Sequence, residues 1–430
     1  MVGSAWSKAL ATVFVAAFGL FTTGCMTYPR VKPDRSWVEL KTPETQIPDS
    51  GLLDVSIKVF DPGKLPFRAK KKGLSKDIRK AEAPYMAAEL RDALNLSGYW
   101  GTVGVVPKTT PGDEVVVSGK ILKSDGEVLK IEIQAQDATG RHWFKRKFES
   151  AIDVSMYAIT PTEDPDIFRN VYFEAANALA SFRESLNEQQ VREIRQVGTL
   201  QFAADMAPDF FDDYLAVDPK TDQYTVNRWP ADEDVTFHRV QEIRTRDRML
   251  NAAKDGHYKR YHKRVEQNYS DWRNVRLIEM NMIRDVEDKR NEKIVIGSVV
   301  VLLAIIVGSL FQQEESLSGS MNPAGPALVG AMAGVGVNEI MTADEVTEQA
   351  EINKSALEES GVTFGNEASA TTIEMTDRIV ELNGSAEEQY DQWRDILRDM
   401  YEAETGFTSA ASNTNAERQP EPGQLKPSNN

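Results

Sequence analysis

Few residues of this sequence have the types and spacing that catalysis requires. The chain contains no G-x-S-x-G nucleophile elbow, no H-E-x-x-H zinc motif and no dinucleotide-binding glycine fingerprint. The nearest approach to a phosphate-binding loop is Gly119-Lys120, and Ile121 follows it where that loop needs a serine or threonine hydroxyl. The sequence therefore predicts a protein that is not an enzyme and that binds no cofactor.

Candidate metal ligands are equally sparse. The chain has 4 histidines, and His257 and His262 are five positions apart, which places them on different faces of a helix. We expect both to be exposed structural residues. Carboxylates that attract divalent cations cluster at Asp205, Asp209, Asp212 and Asp213. Because this cluster lacks a turn glycine and a regular ligand spacing, we interpret it as a helix end and a loop, and the sequence predicts no metal site.

The only cysteine, Cys25, lies where a thiol has a specific use. A short start with one positive charge leads into the apolar run 9–21, which is too short to span a bilayer core. Small residues come directly before the cysteine, as at a secretory cleavage site. With Gly24 and Cys25 at its two most demanding positions, this stretch resembles the signal of bacterial lipoproteins, in which the chain is cut before the cysteine and the new N-terminus is acylated.

The resemblance implies that residues 1–24 are a signal peptide and that acylated Cys25 anchors the protein to membrane lipid. Thr22 departs from the pattern, since a leucine is usual there. Met26, rather than an aspartate, follows the cysteine, which by the sorting rule known for enterobacteria implies the outer membrane. The alternative is an ordinary secretory signal with an incidental cysteine.

Charge is spread unevenly along the 430 residues, whose formal net charge is −16. The segment after Met341 supplies most of the acidic excess, whereas the stretch 58–80 is rich in lysine and arginine. Because an acidic chain is a poor binder of nucleic acid, we expect no nucleic-acid partner. The basic stretch is either a surface for anionic lipid headgroups or a solvated loop and helix start.

The segment 51–150 has the pattern of a small α/β domain, and the proline-rich segment 25–50 that of an extended tether. The run LLDVSIKVF alternates as a strand does, a helical pattern follows it, and four more strand patterns come after the helix. Asp125-Gly126 and Thr139-Gly140 are hairpin-turn signals. We therefore predict an α+β fold that begins with a β-α-β-β-β-β domain and continues with long helices.

Two stretches, MAAELRDALNLSGYWGTVGVVP and DEVVVSGKIL, carry a resemblance to a known type of module. A helix with a Leu-rich face, a short SG-aromatic link and a strand that opens the hairpins resemble the N-terminal domain of TolB-type proteins and periplasmic lipoproteins of the curli-export and ABC-transport-auxiliary kinds. The resemblance covers less than a third of the chain. It implies a binding or assembly module and brings no catalytic residue with it.

Residues 164–293 are predicted to form a long helical region. In its second half, large apolar residues recur every three or four positions, a period typical of a coiled-coil seam through which copies oligomerise. The aromatic members allow two other interpretations, a sugar-stacking surface or plain packing. This stripe consists of Tyr258, Tyr261, Val265, Tyr269, Trp272, Val275, Ile278, Met282 and Val286.

The segment 294–341 contains two apolar runs, Ile294–Phe311 and Ala324–Val337. The first is long enough to span a bilayer core. Its basic flank comes before it, which disfavours a single stop-transfer helix, so we predict a transmembrane or membrane-associated helical hairpin packed through small residues. The packing residues are Gly297, Gly308, Gly325, Gly330 and Gly334. The alternative is a buried hairpin in a soluble core.

The rest of the chain is predicted to be an acidic helical region over 342–406 and a disordered tail over 407–430. These features together predict a lipid-anchored outer-membrane protein that faces the periplasm and has a structural, assembly or export role. Its expected partners are membrane lipid, reached through Cys25 and the hairpin, and either further copies of itself or an envelope protein complex. The alternative is a monomeric periplasmic binding module for a glycan or another envelope ligand.

Replacement of the cysteine tests the anchor. Cys25→Ser should abolish both fatty-acid attachment and cleavage before residue 25, because only a thiol forms the thioether on which this processing depends. Metabolic labelling with an alkyne fatty acid, followed by intact-mass measurement, reads both events, and Met26→Ala should keep both. An unmodified mature N-terminus at another position of the wild-type protein would contradict the anchor.

Overall fold

The computed structural model describes residues 32–33, 36–66, 74–153, 156, 166–289, 352, 355–361, 363, 370–375 and 378–406. Cys25 lies outside these ranges, as do the predicted packing residues Gly297, Gly308, Gly325, Gly330 and Gly334. The chain divides into two compact units, Met1–Lys32 with Ile278–Met341 and Pro33–Leu277 with Thr342–Asn430. The second unit contains the strands and most of the helical residues that the structure describes.

The strands are β1 Val55–Lys58, β2 Val103–Val106, β3 Val115–Ser124, β4 Val128–Asp137, β5 His142–Ala151, β6 Leu215–Val217, β7 Tyr224–Val226, β8 Ala370–Glu374 and β9 Ile379–Asn383. The helices are α1 Lys76–Ser97, α2 Arg169–Ser185, α3 Glu188–Met206, the short α4 Pro208–Phe211, α5 Val235–Lys289 and α6 Ala386–Thr405. The chain is therefore of mixed α/β class with a five-stranded mixed sheet near its N-terminus, which confirms the prediction at that level.

The sheet has the strand order β2-β1-β3-β4-β5. β1 is parallel to both β2 and β3, and α1 provides the crossover connection that the parallel pair β1 and β2 requires. The antiparallel strands β3, β4 and β5 are joined by tight turns. Gly126, with φ 90°, and Gly140, with φ 82°, occupy the left-handed region in these turns, which explains why the turns need glycine.

Helix α1 begins and ends at residues suited to those positions. Ser75 accepts a hydrogen bond from the backbone N–H of Ile78 (3.0 Å), and Gly98 ends the helix in the left-handed conformation with φ 73°. Leu90 and Leu94 are fully buried, and the helix contacts β1 and β2. The apolar spacing along α1 therefore holds it against the sheet.

Another side of α1 is charged and buried as well. Glu82 accepts hydrogen bonds from Ser124 Oγ (2.6 Å) and from Tyr269 Oη of α5 (2.9 Å). Arg79, one turn earlier, lies 3.3 Å from the same carboxylate and donates to the Ser124 carbonyl (3.1 Å). Because a buried charge without a partner is costly, these bonds are a condition for packing α1 in this position.

Two further side-chain contacts between polar groups join α1 to α5. Glu89 lies 2.7 Å from His262, and Arg91 donates to Asp255 (3.2 Å). Residues with higher numbers on α5 contact residues with lower numbers on α1, so the two helices are antiparallel. The charged side of α1 therefore determines where α5 lies.

The part of the α5 stripe from Tyr258 to Val275 is internal to this unit. Tyr261 Oη donates to the Ala81 carbonyl of α1 (2.9 Å), and the Tyr269 ring packs edge-on against Tyr85. Because α1 of the same chain covers these residues, they form plain packing inside this unit. The buried members within this unit are Tyr258, Tyr261, Val265, Tyr269, Trp272 and Val275.

From Ser36 the chain runs along α2. The side-chain amide of Asn170 accepts from the backbone N–H of Val38 (2.9 Å) and donates to the carbonyl of Ser36 (2.7 Å). Asn177, two turns later on the helix, repeats this pair of bonds three residues further along the segment (2.7 and 2.9 Å). Part of the region interpreted as a tether is therefore docked on the fold, because the amides satisfy its backbone groups.

A second hydrophobic core joins the C-terminal part of the chain to α3 and the first half of α5. The prediction of helix throughout 342–406 is wrong at β8 and β9, which pair as an antiparallel hairpin. Both strands alternate buried and exposed residues, and this period of two favours a strand over a helix. Similarly, β6 and β7 form a two-stranded ribbon inside the predicted helical region 164–293. Helix α6 contributes its apolar face, Tyr390, Trp393, Leu397 and Met400.

In the part of the chain that the structure describes, no helix combines the length and the apolar surface that crossing a membrane requires. This finding contradicts the predicted transmembrane helix. The longest helix, α5, carries charged residues along its whole length. The apolar runs 294–311 and 324–337 lie outside the described residues.

A matched pair of substitutions on α1 tests its orientation. Leu90→Asp should lower the free energy of unfolding by about 3 kcal/mol or more, because Leu90 is 0% exposed and the new carboxylate would be buried without a partner. Leu96→Asp should change it by less than about 0.5 kcal/mol, because Leu96 is 67% exposed. Urea denaturation of the full chain measures both. Similar losses in the two variants would mean that the buried face of α1 is misassigned.

Candidate functional site

A polar cleft of about 420 Å³ opens at the amino-terminal ends of β1, β2 and β3. Its walls are the start of β1 at Asp54–Ser56, the loop 110–114 before β3, and the face of α5 that runs from Arg244 to Lys259. Phe202 of α3 adds an aromatic side chain to the lining. A volume of this size is typical of sites for small ligands.

Helix α5 supplies polar side chains to this cleft at helical spacing. Arg244, Asp247, Arg248, Asn251 and Asp255 follow one another by three, one, three and four positions, so they share one face of the helix. This periodicity is the signal by which the sequence could have revealed them. A charged helix face is ordinarily solvated, however, and the local pattern does not distinguish a solvated face from the wall of a cleft.

The loop before β3 is held in place by Arg244. Its guanidinium donates to the carbonyl of Gly112 (2.9 Å) and to Thr199 Oγ1 of α3 (2.5 Å), and lies 3.8 Å from Glu114. Gly112 has φ 106°, and a Cβ there would lie 3.0 Å from the Cβ of Phe202, so the loop needs glycine at this position. This wall of the cleft is therefore connected firmly to both α3 and α5.

One end of the cleft is formed by an ion pair between Arg248 and Asp54, whose charged atoms are 3.1 Å apart. Asp54 Oδ1 also accepts from the backbone N–H of Thr102 (2.8 Å), and the backbone N–H of Asp54 donates to Glu114 Oε2 (3.0 Å). The carboxylate and the guanidinium are thus oriented before any ligand arrives, which lowers the entropic cost of binding.

The lining at Asp255 is built in a similar way. Its Oδ1 accepts from Arg91 of α1 (3.2 Å) and from the backbone N–H of Val105 in β2 (3.0 Å). Lys259, one turn further along α5, lies 3.0 Å from its other oxygen. Asp255 therefore joins α1, the sheet and α5 at a single point.

Two carboxylates in the wall, the half-buried Asp113 and the buried Glu114, receive hydrogen bonds from the protein. Asp113 accepts from Ser56 Oγ (2.6 Å) and from the backbone N–H of Thr110 (2.8 Å). Glu114 has Arg195 at 3.9 Å in addition to its contacts with Arg244 and the backbone of Asp54. Burial raises the pKa of both carboxyl groups, and these partners oppose the rise.

The buried carboxylate of Asp247 has fewer hydrogen bonds to compensate for its burial. It is 5% exposed, and its Oδ1 has no hydrogen-bond partner among the residues that the structure describes. Burial, helped by the charge of Asp113, raises the pKa of Asp247 to about 7, although Trp393, Arg244 and Arg248 oppose the rise. The indole N–H of Trp393 acts on this carboxylate from α6 without reaching hydrogen-bonding geometry. A buried acceptor without a partner carries an uncompensated desolvation cost, which a donor from a ligand would relieve.

The prediction that both histidines are exposed is wrong for His262. Its ring stacks on Tyr85 with 4.6 Å between centroids, and its side chain is only 14% exposed beside Glu89. The reason is that α5 turns this side toward α1. His257 contacts Arg260 on the same helix (2.9 Å). Neither histidine lines the cleft.

The aspartate cluster is spread over the end of α3, the short α4 and the turn that follows. Asp205 pairs with Arg394 and Arg398 of α6, so it belongs to the contact between α3 and α6. Within the described ranges, no group of three or more histidine, cysteine, aspartate or glutamate side chains is arranged to hold a metal ion.

No protein-family model, no curated protein and no solved structure matches this chain. The resemblance to small envelope-lipoprotein domains therefore stays a prediction from the sequence, as does the lipidation of Cys25.

The pH dependence of stability tests the environment of Asp247. The folded-state pKa of about 7 lies above the model-compound value of 3.8, so the folded state holds this proton more tightly and the free energy of unfolding falls as the pH rises from about 4 to about 7. Asp247→Asn should remove that fall, which gives the variant a gain over wild type of about 2–4 kcal/mol on going from pH 4 to pH 8.

Urea denaturation across this pH range measures the difference between the two slopes. Asp77→Asn is the control, because Asp77 is exposed on α1, and it should follow the wild-type curve. Parallel curves for wild type and Asp247→Asn would show that Asp247 is not held in a desolvated site.

Proposed function

We propose that this chain is a ligand-binding module that holds a small polar ligand, a glycan or another envelope component, in the cleft between the sheet and α5. The observation that carries the proposal is the convergence of hydrogen-bonded side chains on a cleft lined by Asp247, whose buried Oδ1 has no hydrogen-bond partner among the residues that the structure describes. Such a combination of fixed polar groups and a concave surface is typical of small-molecule sites.

Binding fits this cleft better than catalysis does. The hydroxyl of Ser56 already donates to Asp113, and no histidine is among the lining residues that the structure describes, so the nucleophile and base of an acyl-transfer site are not assembled. The lining groups are instead held by the protein in fixed orientations, which favours recognition of a ligand.

A module of this kind suits a lipid-anchored protein of the periplasm, as the signal sequence predicts. An assembly or export role with oligomerisation through the long helix has less support, because α1 covers the aromatic stripe that would form the seam. We therefore place the binding role first, with attachment to the outer membrane through Cys25 as the proposed setting.

Blocking the cleft tests the proposal. Ala252→Trp places a bulky ring among the lining residues without removing a hydrogen-bonding side chain, so affinity for the ligand should fall at least tenfold. Met249→Trp is the matched control, because Met249 is exposed on the same helix but does not line the cleft, and its affinity should be unchanged. Native mass spectrometry of the full chain with soluble oligosaccharides released from bacterial envelopes measures both. Equal binding by the two variants, or no binding by wild type, would contradict the proposal.

A further inference from the structure

The charged groups at the cleft are largely paired with each other. Arg248 pairs with Asp54 at one end, while Asp255 pairs with Lys259 and with Arg91. Arg248 offsets Asp54, and Asp255 together with Asp92 offsets Lys259 and Arg91, so these groups do not require a ligand of either sign. What these side chains still offer is a set of donors and acceptors at fixed positions, which suits a ligand with several hydroxyl groups.

Asp247 is the group whose bonding is incomplete, and its surroundings determine what can complete it. Arg244 and Arg248 lie near it on its own helix, Asp113 faces it from the loop before β3, and Trp393 and Tyr390 approach from α6. The attraction of Asp247 for a ligand ammonium would be opposed by repulsion from the two arginines, and a ligand phosphate would be repelled by Asp113 and by Asp247 itself. A neutral hydroxyl meets neither repulsion and can donate to the carboxylate.

Apolar surface accompanies these polar groups. Val55, Val103 and Val106 of the two parallel strands line the cleft together with Phe202 of α3. A sugar ring presents both hydroxyl groups and an apolar face of C–H groups, so it can use both kinds of lining. A small amine or a free phosphate ion has no comparable use for the apolar side.

We propose that the cleft binds an uncharged saccharide, with one ring hydroxyl donating a hydrogen bond to the carboxylate of Asp247. This inference rests on the proposed binding role and names the chemical class of its ligand. Asp247 is a specificity-determining residue in this assignment, and Asn251 and Asp54 are the neighbouring groups that can bond adjacent hydroxyls.

The experiment compares ligands of one skeleton that differ only in charge. Isothermal titration of the full chain uses a panel of neutral disaccharides, their amino-sugar counterparts with a free ammonium group, and their phosphorylated counterparts. At least one neutral member should bind, with an affinity at least tenfold above that of its cationic and anionic counterparts. Because this comparison uses the wild-type protein, it does not depend on any variant folding.

A second measurement assigns the hydroxyl to Asp247. Asp247→Ala should weaken binding of the neutral ligand by about tenfold or more, as expected for loss of a hydrogen bond to a charged acceptor, while Asp247→Asn keeps an acceptor and should lose less. Wild-type affinity should rise between pH 5.5 and 8 as the carboxyl group ionises, and Asp247→Asn should show no such rise. Circular dichroism confirms that each variant is folded.

The outcomes separate this inference from the binding role on which it rests. If a cationic or anionic member binds best and Ala252→Trp blocks it, the cleft is a ligand site but the saccharide assignment is wrong. If a neutral saccharide binds equally well to wild type and Asp247→Ala, the role of Asp247 is wrong. If no neutral member binds, the inference is overturned. If no ligand of any class is blocked by Ala252→Trp, the binding role fails as well.

Discussion

The burial of charged residues on α1 is the constraint on which the rest of the described structure depends. Arg79, Glu82 and Arg91 are almost completely buried, although a helix of this kind usually turns such residues toward water. Each needs partners inside the protein, because an unpaired buried charge costs several kcal/mol. Glu82 finds its partners in Tyr269 and Ser124, and Arg91 finds Asp255, which lies 164 positions later in the chain. Helix α5 therefore has to run antiparallel along α1, in the register that brings these pairs into contact.

The position of α5 has a consequence for its N-terminal half. While Asp255, Tyr261 and Tyr269 are in contact with α1, and Asp255 also with the sheet, the preceding turns extend past the amino ends of the parallel strands. There Arg244 and Arg248 reach the loop before β3 and the start of β1. The cleft is the space left between this part of the helix and the strands, so the partners that neutralise α1 also determine the shape of the candidate site.

The second core holds the same half of α5 from the other side. Lys254 donates to Gln389 of α6, and Arg246 donates to Glu404 near the end of that helix (2.8 Å). Burial lowers the pKa of Lys254 to about 8. Trp393 of α6 approaches Asp247 from behind the cleft wall. The C-terminal part of the chain thus contributes to the environment of the cleft, although it lies far from the other cleft residues in the sequence.

The sequence by itself determined the elements whose patterns are local. The alternation in β1 and β3–β5, the apolar spacing of α1 and the turn glycines Gly126 and Gly140 are read within ten to twenty residues, and the structure forms these elements where the patterns occur. The hairpin β8–β9 has an equally local period of two, but it is short and lies between acidic helical patterns, so we interpreted the whole region as helix. Only the tertiary structure decided that α1 covers the stripe of α5, that His262 stacks on Tyr85 and that Asp247 lines a cleft. Those outcomes depend on contacts between charged residues more than 100 positions apart. A local sequence pattern does not determine which distant residue will pair with a buried charge.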